Sequence, residues 1–147
     1  MTGKNENWLK SNMPLPQIKL RKTHLYKKGH IEKDFQRDFF DQLEKLGWIC
    51  YHVPDIGMSD KFLDGILVDP EWRVVFIEFK QILADTFNVS KFEDSQVILL
   101  GKLARRPLAE AYVAVYSQKH KDYAITTFRE LATQKNDKWG VKLFNKD

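Results

Sequence analysis

Apolar residues recur at three- and four-residue steps in two stretches of this chain. Phe35, Phe39, Leu43 and Leu46 mark one stripe, which predicts a helix from near His30 to a C-cap at Gly47. Phe92, Leu99, Leu100 and Leu103 mark a second, with Ser90 and Glu93 placed as a capping box at its start. Between and after these stripes the apolar residues run together or alternate. Residues 48–53 read as a first strand, and 62–68 and 73–80 as two strands joined by the polar, proline-containing turn 69–72. The continuous apolar run 111–116 reads as a central fourth strand. Residues 122–126 read as a fifth, followed by a short helix capped at Thr126 or Thr127 and a terminal strand 141–144. Residues 81–89 show little regularity and read as a loop. Residues 1–28 show no sustained period, and Pro14 and Pro16 oppose a helix, so they read as an arm or tail ahead of one domain spanning 29–147.

Two charges interrupt the pattern. Side chains alternate along a strand, so Val74, Phe76, Glu78 and Lys80 face one way while Val75, Ile77 and Phe79 face the other. A carboxylate and an ammonium one pleat apart in an apolar strand are unfavourable unless paired or bound. Hairpin pairing brings Asp64 beside Glu78. Asp, Glu and Lys together on a strand pair suggest a metal site with a charged helper, and hard carboxylate oxygens suit Mg²⁺ or Mn²⁺. The plain reading is a structural cross-strand ion pair, with Asp64 in a turn. Asp60 is an alternative to Asp64, while Asp55 lies too far along the loop for hairpin pairing; Asp85 and Asn88 are placed to line the same cleft.

The order Asp, apolar strand, turn, apolar strand, Glu-x-Lys resembles the core motif of the PD-(D/E)XK nuclease superfamily, with Asp64, Glu78 and Lys80 at the matching positions. The likeness is nearest to Holliday-junction-resolvase-like and VRR-NUC-like nucleases, although no proline precedes Asp64. It implies an α/β, restriction-endonuclease-like core in the order αβββαβ, with a central mixed β-sheet flanked by helices. It also implies a Glu from the first helix and a Gln from the helix after Glu-x-Lys, for which Glu32 and Gln96 are the matching residues. Without the resemblance, Glu32 is a favourable helix-dipole partner and Gln96 a boundary glutamine. The metal ligands implied are Asp64, Glu78 and the Phe79 backbone carbonyl. The resemblance further implies that Lys80 would hold or deprotonate the attacking water, and that the products would carry a 5′-phosphate and a 3′-hydroxyl.

Charge and composition sharpen this expectation. The chain has 147 residues, a net charge of +4 and an isoelectric point near 9.1. Before Gly29 the bases Lys4, Lys10, Lys19, Arg21, Lys22, Lys27 and Lys28 face one acid, Glu6, so the arm is suited to phosphates. Lys61 near the site, and Lys102, Arg105 and Arg106 at the end of the second helix, are further DNA-contact candidates. The lone Cys50 excludes an internal disulfide, and neither a membrane-length apolar run nor a signal core is present, so a cytoplasmic setting is expected. His24, His30, His52 and His120 have no metal-ligand spacing. No Gly-rich phosphate loop and no Ser/His/Asp grouping stands out.

The function expected is a metal-dependent DNA endonuclease that recognises branched DNA and serves recombination, repair or a phage. A dimer would match the two-fold symmetry of a four-way junction. The alternatives are a nicking or restriction-type nuclease of the same fold, and a non-catalytic DNA-binding protein that kept it.

Overall fold

The computed structural model describes residues 15–54, 63–71, 73–92, 94–105, 110–133 and 140–144. Its first helix, α1 (Ile31–Lys45), buries Phe35, Phe39, Phe40 and Leu43. It ends in a Schellman arrangement: the amide of Trp48 donates to Leu43 O, that of Gly47 donates to Glu44 O, and Gly47 adopts φ +91°. Because the chain turns away here, Leu46 is exposed and leaves the predicted stripe. Phe40 is buried instead.

The strands β1 (Ile49–His52), β2 (Gly65–Val68), β3 (Val74–Ile82), β5 (Glu110–Ser117) and β6 (Asp122–Thr127) form one mixed sheet in the order β1-β2-β3-β5-β6. β1, β2 and β3 pair antiparallel, as the hairpin reading requires. β3 and β5 are parallel and joined through α2 (Asp94–Ala104), since parallel neighbours need a crossover. β5 and β6 pair antiparallel. The expected order of helix, three strands, helix, strand is therefore present.

The alternation along β3 divides the core. Val75, Ile77 and Phe79 join Tyr112, Ala114 and Tyr116 of β5 beneath α1. On the other face Val113 and Val115 pack with Phe92, Leu100 and Leu131. The short helix α3 (Phe128–Thr133) follows β6 directly, and Thr127 Oγ1 accepts from the Glu130 amide as predicted for a cap.

Two local expectations are corrected. Residues 81–89 are not a plain loop: β3 runs on to Ile82, and β4 (Thr86–Phe87) pairs with β7 (Val141–Lys142) from the far end of the chain. Local pattern cannot reveal so distant a partner. Ser90 does not cap α2, because it lies within the 3₁₀ turn Val89–Lys91 and its amide donates to Asn88 Oδ1.

The basic arm is anchored from Leu15 onward. Leu15 and Ile18 lie in the core under α1, and the Ile18 amide donates to Tyr123 Oη. Asp38 of α1 accepts from the Arg21 and Lys22 amides and from the Tyr26 hydroxyl. Burial, that hydrogen bond and the Asp38 charge together push the Tyr26 phenol far up. Among the described residues no helix is long and apolar enough to cross a membrane.

Candidate active site

The β2–β3 register aligns Gly65 with Ile77, so Asp64 arrives beside Glu78. A Cβ on Gly65 would lie 2.5 Å from Phe40 Cζ, so only glycine lets the chain behind Asp64 settle this closely onto α1. Two hydrogen bonds lock the juxtaposition. The Asp64 amide donates to Glu78 Oε1 at 3.1 Å, and the Phe79 amide donates to Asp64 Oδ2 at 2.8 Å. In an extended strand the N–H and C=O of one residue point to the same edge. The Phe79 carbonyl therefore also faces the Asp64 side, beyond the end of β2.

From the helical layer, Gln96 of α2 reaches the same point. Its Nε2 donates to Glu78 Oε2 at 2.5 Å, and its Oε1 accepts from Lys80 Nζ at 3.3 Å. Lys80 Nζ lies 3.4 Å from Glu78 Oε2, donates to Lys91 O at 3.3 Å and sits 5.5 Å from the centre of the Phe92 ring. Glu78 is 2% exposed, Asp64 3% and Gln96 4%. Among the described residues two buried carboxylates and the part-buried Lys80 ammonium thus meet at one point. That donor set fits a hard divalent cation. Among the described residues no three His, Cys, Asp or Glu side chains form a cluster able to hold a metal, so of those residues Asp64 and Glu78 would supply the side-chain ligands.

The structure brings together Asp64, Glu78, Phe79, Lys80 and Gln96. Glu32 stands half-buried in the first turn of α1, the helix that covers the opposite face of β3. Asp85 and Asn88 are engaged elsewhere. Asp85 bonds His120 at 2.5 Å and lies 4.0 Å from Lys119, and the His120 hydrogen bond is the main cause holding its carboxyl below the ordinary value. Asn88 accepts from Ser90. Lys19, Arg21, Lys22, Lys27, Lys28, Lys102 and Arg105 are exposed. Asp55, Asp60, Lys61 and Arg106 lie outside the described residues. Cys50 is half-buried, and burial pushes its thiol up to about 12, as befits a packing residue.

Sequence reasoning did not find what seats the lysine. Lys91 O and the Phe92 ring fix the Lys80 ammonium, yet Phe92 stood out only as a member of an apolar stripe. Its place one helical turn before Gln96 was the available signal.

The fold has a counterpart among solved structures. A Holliday junction resolvase from the hyperthermophilic archaeon Archaeoglobus fulgidus superposes with a TM-score of 0.56 and 22% identity, over 77% of this chain and 88% of that one. The two proteins share a fold. It is the restriction-endonuclease-like α/β fold read from the motif, with its five-stranded mixed sheet and flanking helices. No family model matches the chain, and no curated protein sequence does.

Proposed function

We propose that this protein is a metal-dependent, structure-selective DNA endonuclease of the junction-resolving kind. The observation that carries the reading is the meeting of two buried carboxylates, one ammonium and a bridging glutamine at a point where hydrogen bonds already orient them. The shared fold supports it, because the archaeal protein of that fold resolves Holliday junctions.

Asp64, Glu78 and the Phe79 carbonyl would hold Mg²⁺ or Mn²⁺. When bound, such an ion neutralises charge developing on the phosphate and lowers the pKa of water. The chain's own groups do the rest. Lys80, held by Gln96 and Lys91 O, orients the attacking water or a phosphate oxygen with a fixed ammonium. Gln96 bridges Glu78 and Lys80, so it sets their spacing. Water adds to phosphorus, the P–O3′ bond breaks, and the 3′ oxygen leaves as a hydroxyl after taking up a proton. Glu32 is assigned a supporting role from the first helix. The exposed bases of the arm and of the end of α2 contact phosphates, and two copies of the chain act on one junction.

The test is cleavage of a four-way junction, a flap and a linear duplex with and without Mg²⁺, alongside sedimentation of the protein. Paired cuts in the junction by a dimer are expected. Equal cutting of linear duplex by a monomer would favour a nicking or restriction-type enzyme. Binding without cleavage of any substrate would leave only a DNA-binding role.

A further inference from the structure

Residues 22–30 fold back over the first turns of α1, and the two segments enclose a cleft of about 440 Å³. Its charged lining is Lys22, Lys27, Lys33 and Arg37 against Asp34 and Asp38. The acids are turned to structural use. Asp38 is 1% exposed and accepts from the amides and phenol that pin the arm, while Asp34 Oδ2 accepts from the Lys27 amide at 2.8 Å. The four basic residues are all exposed. Lys22 lies 3.5 Å from Asp41, but both side chains are near half-exposed, and such a pair contributes little. Four cations against two acids leave two positive charges at a concave surface drawn from two elements.

The cleft also has a defined place in the sheet. Tyr26 on its wall packs against Tyr116, with ring centres 5.1 Å apart. Tyr116 pairs with Gln81, the neighbour of Lys80. Phe35, on the core side of the same turn of α1, meets Phe79 with ring centres 5.3 Å apart. The cleft and the acid-acid-lysine site are therefore built at the same end of β3, on opposite faces of the sheet.

We infer that this cleft seats a backbone phosphate of the DNA whose scissile bond lies at the site across the sheet, with Lys33 and Arg37 as its principal contacts beside Lys22 and Lys27. The choice of DNA as the source of the phosphate rests on the proposed nuclease function. Ammonium and guanidinium heads at an exposed mouth suit a sequence-independent phosphate contact, which positions a duplex without reading it.

The experiment measures binding of a fluorescently labelled DNA duplex by the full chain, without divalent metal, over a range of salt. Replacing both Lys33→Ala and Arg37→Ala is expected to weaken binding about tenfold at low salt and to reduce the slope of log K against log salt by about 1 to 2. The charge-keeping pair Lys33→Arg with Arg37→Lys should restore both. Cleavage at saturating DNA should not change. A slope and affinity equal to wild type in the double alanine variant would overturn the proposal, as would a wild type that binds no duplex. The two readings fail separately: lost slope without any cleavage by the wild type removes the nuclease, and cleavage with an unaltered slope removes the cleft.

Discussion

Two buried acid sites lie on opposite faces of this sheet, and they are built in opposite ways. Asp38 receives two backbone amides, the Tyr26 hydroxyl and, at 3.5 Å, the Gln42 carboxamide. All of these donors are neutral, they come from the same helix and the segment just before it, and together they tie the basic arm to α1. Asp64, Glu78 and Lys80 come from two paired strands and are joined there by Gln96 from a helix further along the chain. A carboxylate saturated by dipoles is stable where it stands. Two carboxylates brought to one point offer hard oxygen ligands to a divalent cation. Burial alone does not mark a working acid; the convergence of several charged groups on one point does.

That contrast fails most visibly if the convergence is irrelevant to activity. Glu78→Gln and Lys80→Ala are each expected to lower junction cleavage about a thousandfold. Each variant should still show a cooperative thermal transition, so that the loss of cleavage is not a loss of the fold. Near wild-type cleavage by either variant would remove that residue from the chemistry.

The opposite outcome is expected at Asp38. Asp38→Ala removes the acceptor of several part-buried donors and should lower stability by about 2 kcal/mol, seen as a lower Tm by thermal denaturation. Cleavage per folded molecule, measured well below that Tm, should be unchanged. A large loss of activity without loss of stability would erase the distinction between the two sites.

Metal affinity separates them again. Calorimetry should show Asp64→Asn binding Mg²⁺ or Mn²⁺ at least about tenfold more weakly, and Asp38→Asn binding it like wild type. Weakening by Asp60→Asn instead would move the ligand into the preceding loop.

Asp69 supplies the smallest and finest comparison, a buried acid with a full cation partner. Burial pushes its carboxyl up, but the amides of Arg73 and Glu71 and the Arg73 guanidinium, whose Nε lies 2.6 Å from Oδ2, hold it below the ordinary value. A depressed folded pKa stabilises the fold above the unfolded carboxylate range near about 4, and that contribution is lost as pH falls through the lower folded value. Asp69→Asn should therefore flatten the acid side of the Tm-versus-pH curve and cost about 1 kcal/mol at neutral pH. Superimposable acid limbs would mean that this turn gains nothing from its charge.

Much of the fold could be read from the chain because its signals are local. Helical spacing marked α1 and α2, alternation told the two faces of β3 apart, and a proline-containing turn set the hairpin whose register carries Asp64 to Glu78. The Asp, Glu-x-Lys order was legible for the same reason, since these residues sit on paired neighbouring strands. Tertiary structure alone decided the rest. Pairing of β4 with β7 joins distant segments, and Leu46 left its stripe because Gly47 turned the chain. Lys80 depends on the carbonyl of Lys91 and the ring of Phe92, groups that reach it only through the crossover after β3. The basic arm has its shape because Asp38, an acid with no local signature, collects the amides that fold it back. Spacing along a chain records which face a residue takes, whereas the balance of charge against donors exists only once remote segments meet.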